Sequence, residues 1–392
     1  MIYCALCAVG AEKTLGNEIK FLGYKLHQTK FGTTSKPGRV YFEGDISAMY
    51  RTNFCLRTSD RVYIQLAEYN AENFDELFEG CYRINWQDYL KKDVHVVVDK
   101  VRSYKSKLNS EHSIQGMIQK AIYKKLGEKF HMTNLPETGE RVDVRVFIDE
   151  DVAYILLDTS GLPLHKRGYR TDGGIAPLRE TTAAVLLQEM MWRRKTPLHD
   201  PFCGSGTIAI EAALYAYNVA PGLGRRFGYE NLTIFDRQMQ FHIKREEASK
   251  IRTDVEARIT GSDIDPAAVE RARLNAEHAC VMAGRALQMI GSDNRVPRPD
   301  FMVSDFAELS APYSEGLLLC NPPYGERIGD SEHAIELYKN MGGLFKEFPG
   351  WQIGVITSHN KFESSLGRHA NSQKNLKAGN LDTVLYKFTV RG

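Results

Sequence analysis

The chain changes its hydrophobic pattern near Thr196. Before that point short apolar runs and amphipathic stretches mix irregularly; after it, strand-like runs and helical patterns alternate. Residues 2–9 are apolar and rich in small side chains, which reads as a strand. Over residues 10–23, Leu15, Ile19 and Leu22 fall on one face of a 3.6-residue period and predict a helix. Residues 40–43 predict a second strand, and Asp45 opens a second helix reaching Cys55. Strand, helix, strand, helix in so short a span predict a small α+β unit over residues 1–60. Residues 61–163 form a second unit. There 94–98 is a strand leading into a loop at 101–107, and Ser110 caps a helix facing inward with Ile114, Met117, Ile118 and Ala121. A glycine-rich turn over 164–180 reads as a linker, and a helix over 182–192 enters the last unit, 181–392.

In that unit the chemistry collects at strand ends. Residues 198–207 (LHDPFCGSGT) read as a strand, a glycine loop and the start of an apolar helix over 208–215. The glycines let the backbone pass close to a ligand, and a helix N-terminus favours an anionic group such as a carboxylate. The spacing is not G-x-G-x-x-G and no G-K-[ST] follows, which disfavours a dinucleotide or ATP. Residues 258–265 end a second strand in acid. Asp263 suits ribose hydroxyls, and Asp265 suits the cap of a helix starting at Pro266. A third strand end supplies Asp305, an acceptor for an adenine amino group, and Phe306, a ring to stack on it. The fourth is the run 317–324 (LLLCNPPY). Its paired prolines fix φ and restrict the residue before them, so the chain leaves the strand rigid and extended. The Asn321 side chain and the Pro322 carbonyl then offer two close acceptors beside the ring of Tyr324. That set suits a flat base bearing an exocyclic –NH2. Residues 351–356 predict a fifth strand and 385–390 part of a closing antiparallel hairpin.

Composition narrows the class. The 392 residues exceed one typical core. Hydrophobic residues at 43% and charged residues at 26% describe an ordinary globular protein. No apolar run approaches a membrane span, and the N-terminus lacks the basic region of a signal peptide. Seven scattered cysteines suggest reduced thiols and a cytoplasmic setting; Cys4 and Cys7, with no second pair, read as structural, so no metal is expected. Net charge is only +2, so a nucleic-acid role must come from local patches. One exists. Between residues 100 and 130, Lys100, Arg102, Lys105, Lys107, Lys120, Lys124, Lys125 and Lys129 face only Glu111 and Glu128, a net of +6. Lysine also fills solvated helix faces, but the clustering in the loop favours a phosphate-binding face with Tyr104 available for stacking. The basic turn at 165–170 adds Arg167 and Arg170.

The motifs at 200–207, 263–265, 305–306 and 321–324 resemble those of class I methyltransferases that use S-adenosylmethionine to methylate exocyclic amino groups. Residues 101–108 and 114–116 resemble a THUMP RNA-binding domain behind a ferredoxin-like segment. With 165–170, 176–180, 220–222 and 321–327, nearly the whole chain resembles the bacterial RlmL-type enzymes. The resemblance implies an α/β fold: a Rossmann-like, doubly wound seven-stranded sheet with a closing antiparallel hairpin, preceded by an α+β ferredoxin-like and THUMP region. It implies S-adenosylmethionine held by Asp200, Phe202, Gly204, Gly206, Thr207, Asp263, Ile264, Asp305, Phe306 and Asn321. It also implies catalysis by Asn321, Pro322 and Tyr324, and RNA contacts from Lys100, Arg102, Tyr104, Lys105, Lys107, Lys120, Lys124, Arg167 and Arg170. The implied product is N2-methylguanosine in 23S ribosomal RNA or a pre-50S particle, made by a monomer or weak dimer. Related enterobacterial chains carry a second methyltransferase domain; this sequence stops at Gly392, so that activity is expected to be absent. Three rivals stand beside this reading: a tRNA guanine-N2 methyltransferase, a DNA adenine-N6 methylase, and a non-enzymatic RNA-binding or assembly factor. The last would tolerate loss of Asp263, Asp305 or Asn321, yet all are present.

Overall fold

The structure is a computed structural model that describes residues 1–170, 177–323, 330–378 and 381–391. Its first half builds one sheet from β1 (Ile2–Leu6), β2 (Lys25–Leu26), β3 (Ser35–Lys36), β4 (Arg39–Glu43), β5 (Arg61–Asn70), β6 (His95–Tyr104), β7 (Arg141–Asp149) and β8 (Val152–Asp158). The order is β2-β4-β1-β5-β8-β7-β6, with β3 paired to β4. β5 pairs with β1 on one side and β8 on the other, so the division expected after residue 60 falls inside a continuous sheet. The strand expected at 94–98 runs on through the first part of the loop expected at 101–107, forming β6 to Tyr104 with an irregularity between Val98 and Lys100.

In a flat sheet β4 and β7 would stand about 19 Å apart, four strand spacings. Yet Arg39 of β4 reaches Asp149 of β7 at 2.9 Å, so the sheet curls. Tyr41, Phe147 and Tyr154 fill the hollow as a separate buried cluster. Against another part of the sheet lies the helix Glu111–Phe130, with Ile114, Ile118 and Ala121 buried. Ser110 caps it, its hydroxyl accepting from the Ser113 N–H.

The second half carries β9 (Leu198–Asp200), β10 (Ile259–Asp263), β11 (Asp300–Val303), β12 (Leu317–Cys320), β13 (Gln352–Thr357), β14 (Ser372–Ala378) and β15 (Leu381–Thr389). Their order is β11-β10-β9-β12-β13-β15-β14. β9 to β13 run parallel, and β15 and β14 close the sheet antiparallel. The chain steps outward from β9 to β11, then returns to lay β12 on the other side of β9. Ligands bind at such a reversal, outside the carboxyl ends of the strands. The leucines of β12 are buried throughout, as a strand covered on both faces requires.

Of the turn expected as a linker, residues 164–170 are packed into the joint between the halves. Arg167 is 2% exposed; it donates to the carbonyls of Leu164 at 2.8 Å and Arg57 at 2.5 Å and pairs with Glu211 at 3.4 Å. Where an RNA contact was expected, it is thus a buried cation held by internal partners. Its fork satisfies carbonyls that the contact between halves takes out of water. Arg170 is similarly engaged, with Glu180 at 3.0 Å, the Thr207 hydroxyl at 2.7 Å and the Leu178 carbonyl at 3.1 Å. Both arginines sat in a basic, glycine-rich turn that resembles a surface loop when only neighbours in sequence are considered.

Candidate active site

The parallel strands β11, β10, β9 and β12 are neighbours, so their carboxyl ends share one edge. Asp263 ends β10 and Asp200 ends β9, while Asp305 and Asn321 follow just after β11 and β12. The glycine loop is tied down at each step. Cys203 N–H donates to the Ser262 carbonyl at 2.9 Å, Gly206 N–H to the Cys203 carbonyl at 2.7 Å, and the buried Asn275 side chain to the Ser205 carbonyl at 3.0 Å. Gly206 has φ +83°, and an added Cβ would meet the Phe301 ring at 2.9 Å and Ala272 at 3.0 Å. Only glycine fits there. Gly204, at φ +52°, has nothing within 4 Å of where its Cβ would lie, so the loop has open space on that side.

Asp263 supports this loop directly: one carboxylate oxygen accepts from Gly204 N–H at 2.9 Å, the other from Asp265 N–H at 3.0 Å. Each oxygen keeps a second lone pair for a ligand hydroxyl. Asp265 caps the helix Pro266–Gln288 by accepting from Ala267 N–H. Ile264, next in sequence, is 69% exposed, and Val303, the register partner of Asp263, is also exposed. Large apolar side chains left open beside a carboxylate suit the flat face of a purine. Phe306 packs against Phe202 with ring centroids 5.0 Å apart at 37°. Asp305 caps the short turn Phe306–Glu308 by accepting from Ala307 N–H at 2.9 Å. These features fit an adenosyl group, with the ribose at Asp263, the adenine beside Ile264, and the glycine loop under the amino-acid end.

Asp200 is wholly buried, and burial pushes its carboxyl up to about 8. Phe202 N–H, donating at 3.1 Å, pulls the other way, and the charge of Asp263 adds a smaller push. Asp200 is thus neutral near pH 7 and braces the loop without adding a second charge. His199, inside the sheet, lies between the hydroxyls of Thr260 at 2.8 Å and Ser262 at 3.1 Å; burial lowers its pKa to about 4.

Asn321 is half-buried and Pro322 buried. Tyr324 lies outside the described residues. The Pro323 carbonyl accepts from the Tyr338 hydroxyl at 3.0 Å, and that hydroxyl also meets the Thr357 hydroxyl at 3.2 Å. Tyr338 is fully buried against His359 and Phe362. Sequence reasoning missed it, and also His199 and Asn275. Tyr338 lies fifteen residues beyond Pro323 with no local motif around it, and only packing brings the two together.

The residues expected at RNA stand apart from this edge, on the first sheet and its helix. Lys100, Arg102, Tyr104, Lys105, Lys107, Lys120 and Lys124 are exposed. Lys107 pairs with Glu72, and Lys124 lies over the rings of Phe78 and Tyr82. Among the described residues no cluster of three or more His, Cys, Asp or Glu is placed to hold a metal, and no helix is long and apolar enough to cross a membrane.

Fold and edge together define a class I methyltransferase behind an N-terminal α+β region. Comparison with known proteins gives the particular family. Residues 167–387 match the RMKL-like methyltransferase domain, 3–63 the RlmL ferredoxin-like domain, and 71–158 the THUMP domain. YpsC of Bacillus subtilis, which carries a provisional RNA-methyltransferase name, is 37% identical over 98% of this chain and 94% of its own length. The ribosomal RNA large subunit methyltransferase K/L of Photobacterium profundum is 31% identical over 99% of this chain, which spans 53% of that protein. The crystal structure of SMU.472, solved with S-adenosylhomocysteine, superposes with a TM-score of 0.85 at 34% identity, covering 100% of this chain and 98% of that one. The chain belongs to the RlmKL family of S-adenosylmethionine-dependent RNA methyltransferases.

Proposed function

We propose that this chain methylates the exocyclic N2 amino group of a guanine in 23S ribosomal RNA, on a base that is unpaired or flipped out. The observation that carries the reading is Asn321: an amide followed by two prolines, set at the switch-point edge beside Asp200 and Asp263. Support for the RNA comes from the large-subunit name of the Photobacterium relative.

When bound, S-adenosylmethionine supplies an electrophilic methyl group. The residues supply the rest. A guanine N2 lone pair is delocalised into the ring and is a poor nucleophile. With the Asn321 Oδ1 and the Pro322 carbonyl accepting its two hydrogens, the nitrogen pyramidalises and its lone pair is aimed at the donor. Tyr324 offers a ring for the displaced base. The contribution is positioning and aligned dipoles rather than covalent chemistry. Cys320, adjacent to the motif, is buried within β12, and burial, helped by Asp200, raises its thiol well above the usual value. It is no thiolate nucleophile.

The test is to methylate 23S ribosomal RNA, tRNA and DNA with the full chain and identify the product after digestion to nucleosides. N2-methylguanosine in 23S ribosomal RNA is expected; the same nucleoside in tRNA alone, or N6-methyladenine in DNA, overturns the reading. Asn321→Ala should lower turnover by about 10²–10³ while RNA and cofactor affinities change by less than about tenfold. A wild-type rate would reduce the motif to a turn.

A further inference from the structure

Away from the adenosyl site, a cavity of about 980 Å³ opens where the curled first sheet meets the closing hairpin of the second. All three family segments line it. Lys36 and Arg39 come from the ferredoxin-like strands, Arg102 and Tyr104 from the end of β6, and Lys377 from β14. The joint beneath it is tight. Lys377 N–H donates to the Val9 carbonyl at 3.0 Å, and Gly10, at φ +96°, approaches so closely that a Cβ would lie 2.2 Å from the Asn375 carbonyl oxygen.

The cavity and the catalytic edge share one end of the second sheet. β15 places Val384 opposite Thr357, the last residue of β13, and β14 places Asn375 opposite Val384. The hairpin wall of the cavity therefore stands at the carboxyl ends of the parallel strands, where Asp200, Asp263 and Asn321 are.

Its electrostatics are lopsided. Four cations line it against Asp149 and Asp382. Arg39 takes Asp149 at 2.9 Å and Lys377 approaches Asp382 at 3.8 Å. Lys36 and Arg102 make no ion pair among the described residues. At the floor, Arg39 is 5% exposed, and its Nε has no hydrogen-bond partner among the described residues. A buried donor without a partner is costly unless a ligand or water meets it. At the rim Tyr104 is 57% exposed, a large ring beside those cations, with Lys105 Nζ over one face at 5.3 Å from the centroid.

We infer that this cavity takes an unpaired nucleotide of the RNA substrate, its base stacked on Tyr104 and its phosphates among Arg102, Lys36 and Lys377. The inference rests on RNA being the substrate. Cations around an exposed aromatic ring are the arrangement that holds single strands, since every base has a face to stack and every nucleotide a phosphate. A duplex, read by shape along its grooves, would not enter a recess of this kind. Because the recess stands at the same end of the second sheet as Asn321, with β15 and β13 between its β14 wall and β12, it holds the strand at a second point and so limits which base can reach Asn321.

The test uses the full chain and a short single-stranded oligoribonucleotide carrying 4-thiouridine. Photocrosslinks should map to the end of β6 and to the β14–β15 hairpin. Tyr104→Ala should weaken oligonucleotide binding about tenfold. Lys36→Ala with Arg102→Ala should flatten the slope of log affinity against log salt by about 0.7 for each lost contact. Cofactor affinity, measured by calorimetry, should be unchanged in both and certifies the fold. Undiminished binding with parallel salt plots, or crosslinks confined to other segments, overturns the site. The nucleoside assay above separates the two readings. Crosslinks in the cavity without N2-methylguanosine leave the site standing and sink the guanine proposal; the reverse result sinks the site alone.

Discussion

Asp200 shows how one buried carboxyl can be useful by being neutral. In an unfolded chain its carboxyl titrates near its ordinary value of 3.8, and in the fold near 8. Between those values the folded protein keeps a proton that the unfolded chain has released. Its contribution to stability is therefore whole below pH 4 and is lost as the pH rises through 8. Asp200→Asn stays neutral throughout, so its melting temperature should gain on that of the wild type as the pH is raised from 5 to 9. Asp158, also raised by burial, to about 6, and His199, lowered to about 4, titrate in both proteins and cancel from the difference. Parallel melting curves across that range would mean that Asp200 is already ionised in the fold.

Among the elements, the helix Asp330–Asn340 has a role that its position in the chain conceals. It delivers Tyr338 to the Pro323 carbonyl and to Thr357 at the end of β13, tying the turn after Asn321 to the next strand of the sheet. The prolines restrict the turn from within, while the tyrosine holds it from outside. Tyr338→Phe keeps the ring packing and deletes the bridge, leaving the Pro323 carbonyl one donor short. Losing that hydrogen bond should cost about 1 kcal/mol of stability. Turnover should fall about fivefold, the rate equivalent of that energy, with cofactor affinity unchanged. Urea denaturation and single-turnover kinetics would check this; an unaltered rate would leave Tyr338 as packing only.

Across the whole molecule, the two sheets are joined by polar contacts as much as by apolar ones. Thr181 donates to Asp60 at 2.7 Å, Arg51 meets Glu246 at 2.7 Å, and Thr14 reaches Glu189 at 2.5 Å. Arg167 is the most buried of these ties. Removing one partner of a buried ion pair strands the other, which costs about 3–5 kcal/mol. Arg167→Ala should lower stability by that order while leaving the salt dependence of RNA binding untouched, since the side chain is out of reach of solvent. Chemical denaturation and binding at several salt concentrations measure the two effects separately. Unchanged stability with a flattened salt slope would return Arg167 to the RNA face.

Local chemistry was legible in the sequence because it is written in consecutive residues. The glycine loop, the acids closing β10 and following β11, the Asn-Pro-Pro run, the Ser110 and Asp265 caps and the alternation of strand and helix after Thr196 all declare themselves through φ requirements, side-chain acceptors or periodicity within a few positions. Tertiary structure decided what depends on distant partners. It fused the first two units into one curled sheet, because β5 finds edges on both sides. It neutralised Asp200 and His199 by burying them, and it supplied Tyr338 and Asn275 to hold loops far away in sequence. It also withdrew Arg167 from the surface: a charge in a glycine-rich turn carries no sign of whether water or a second domain will face it.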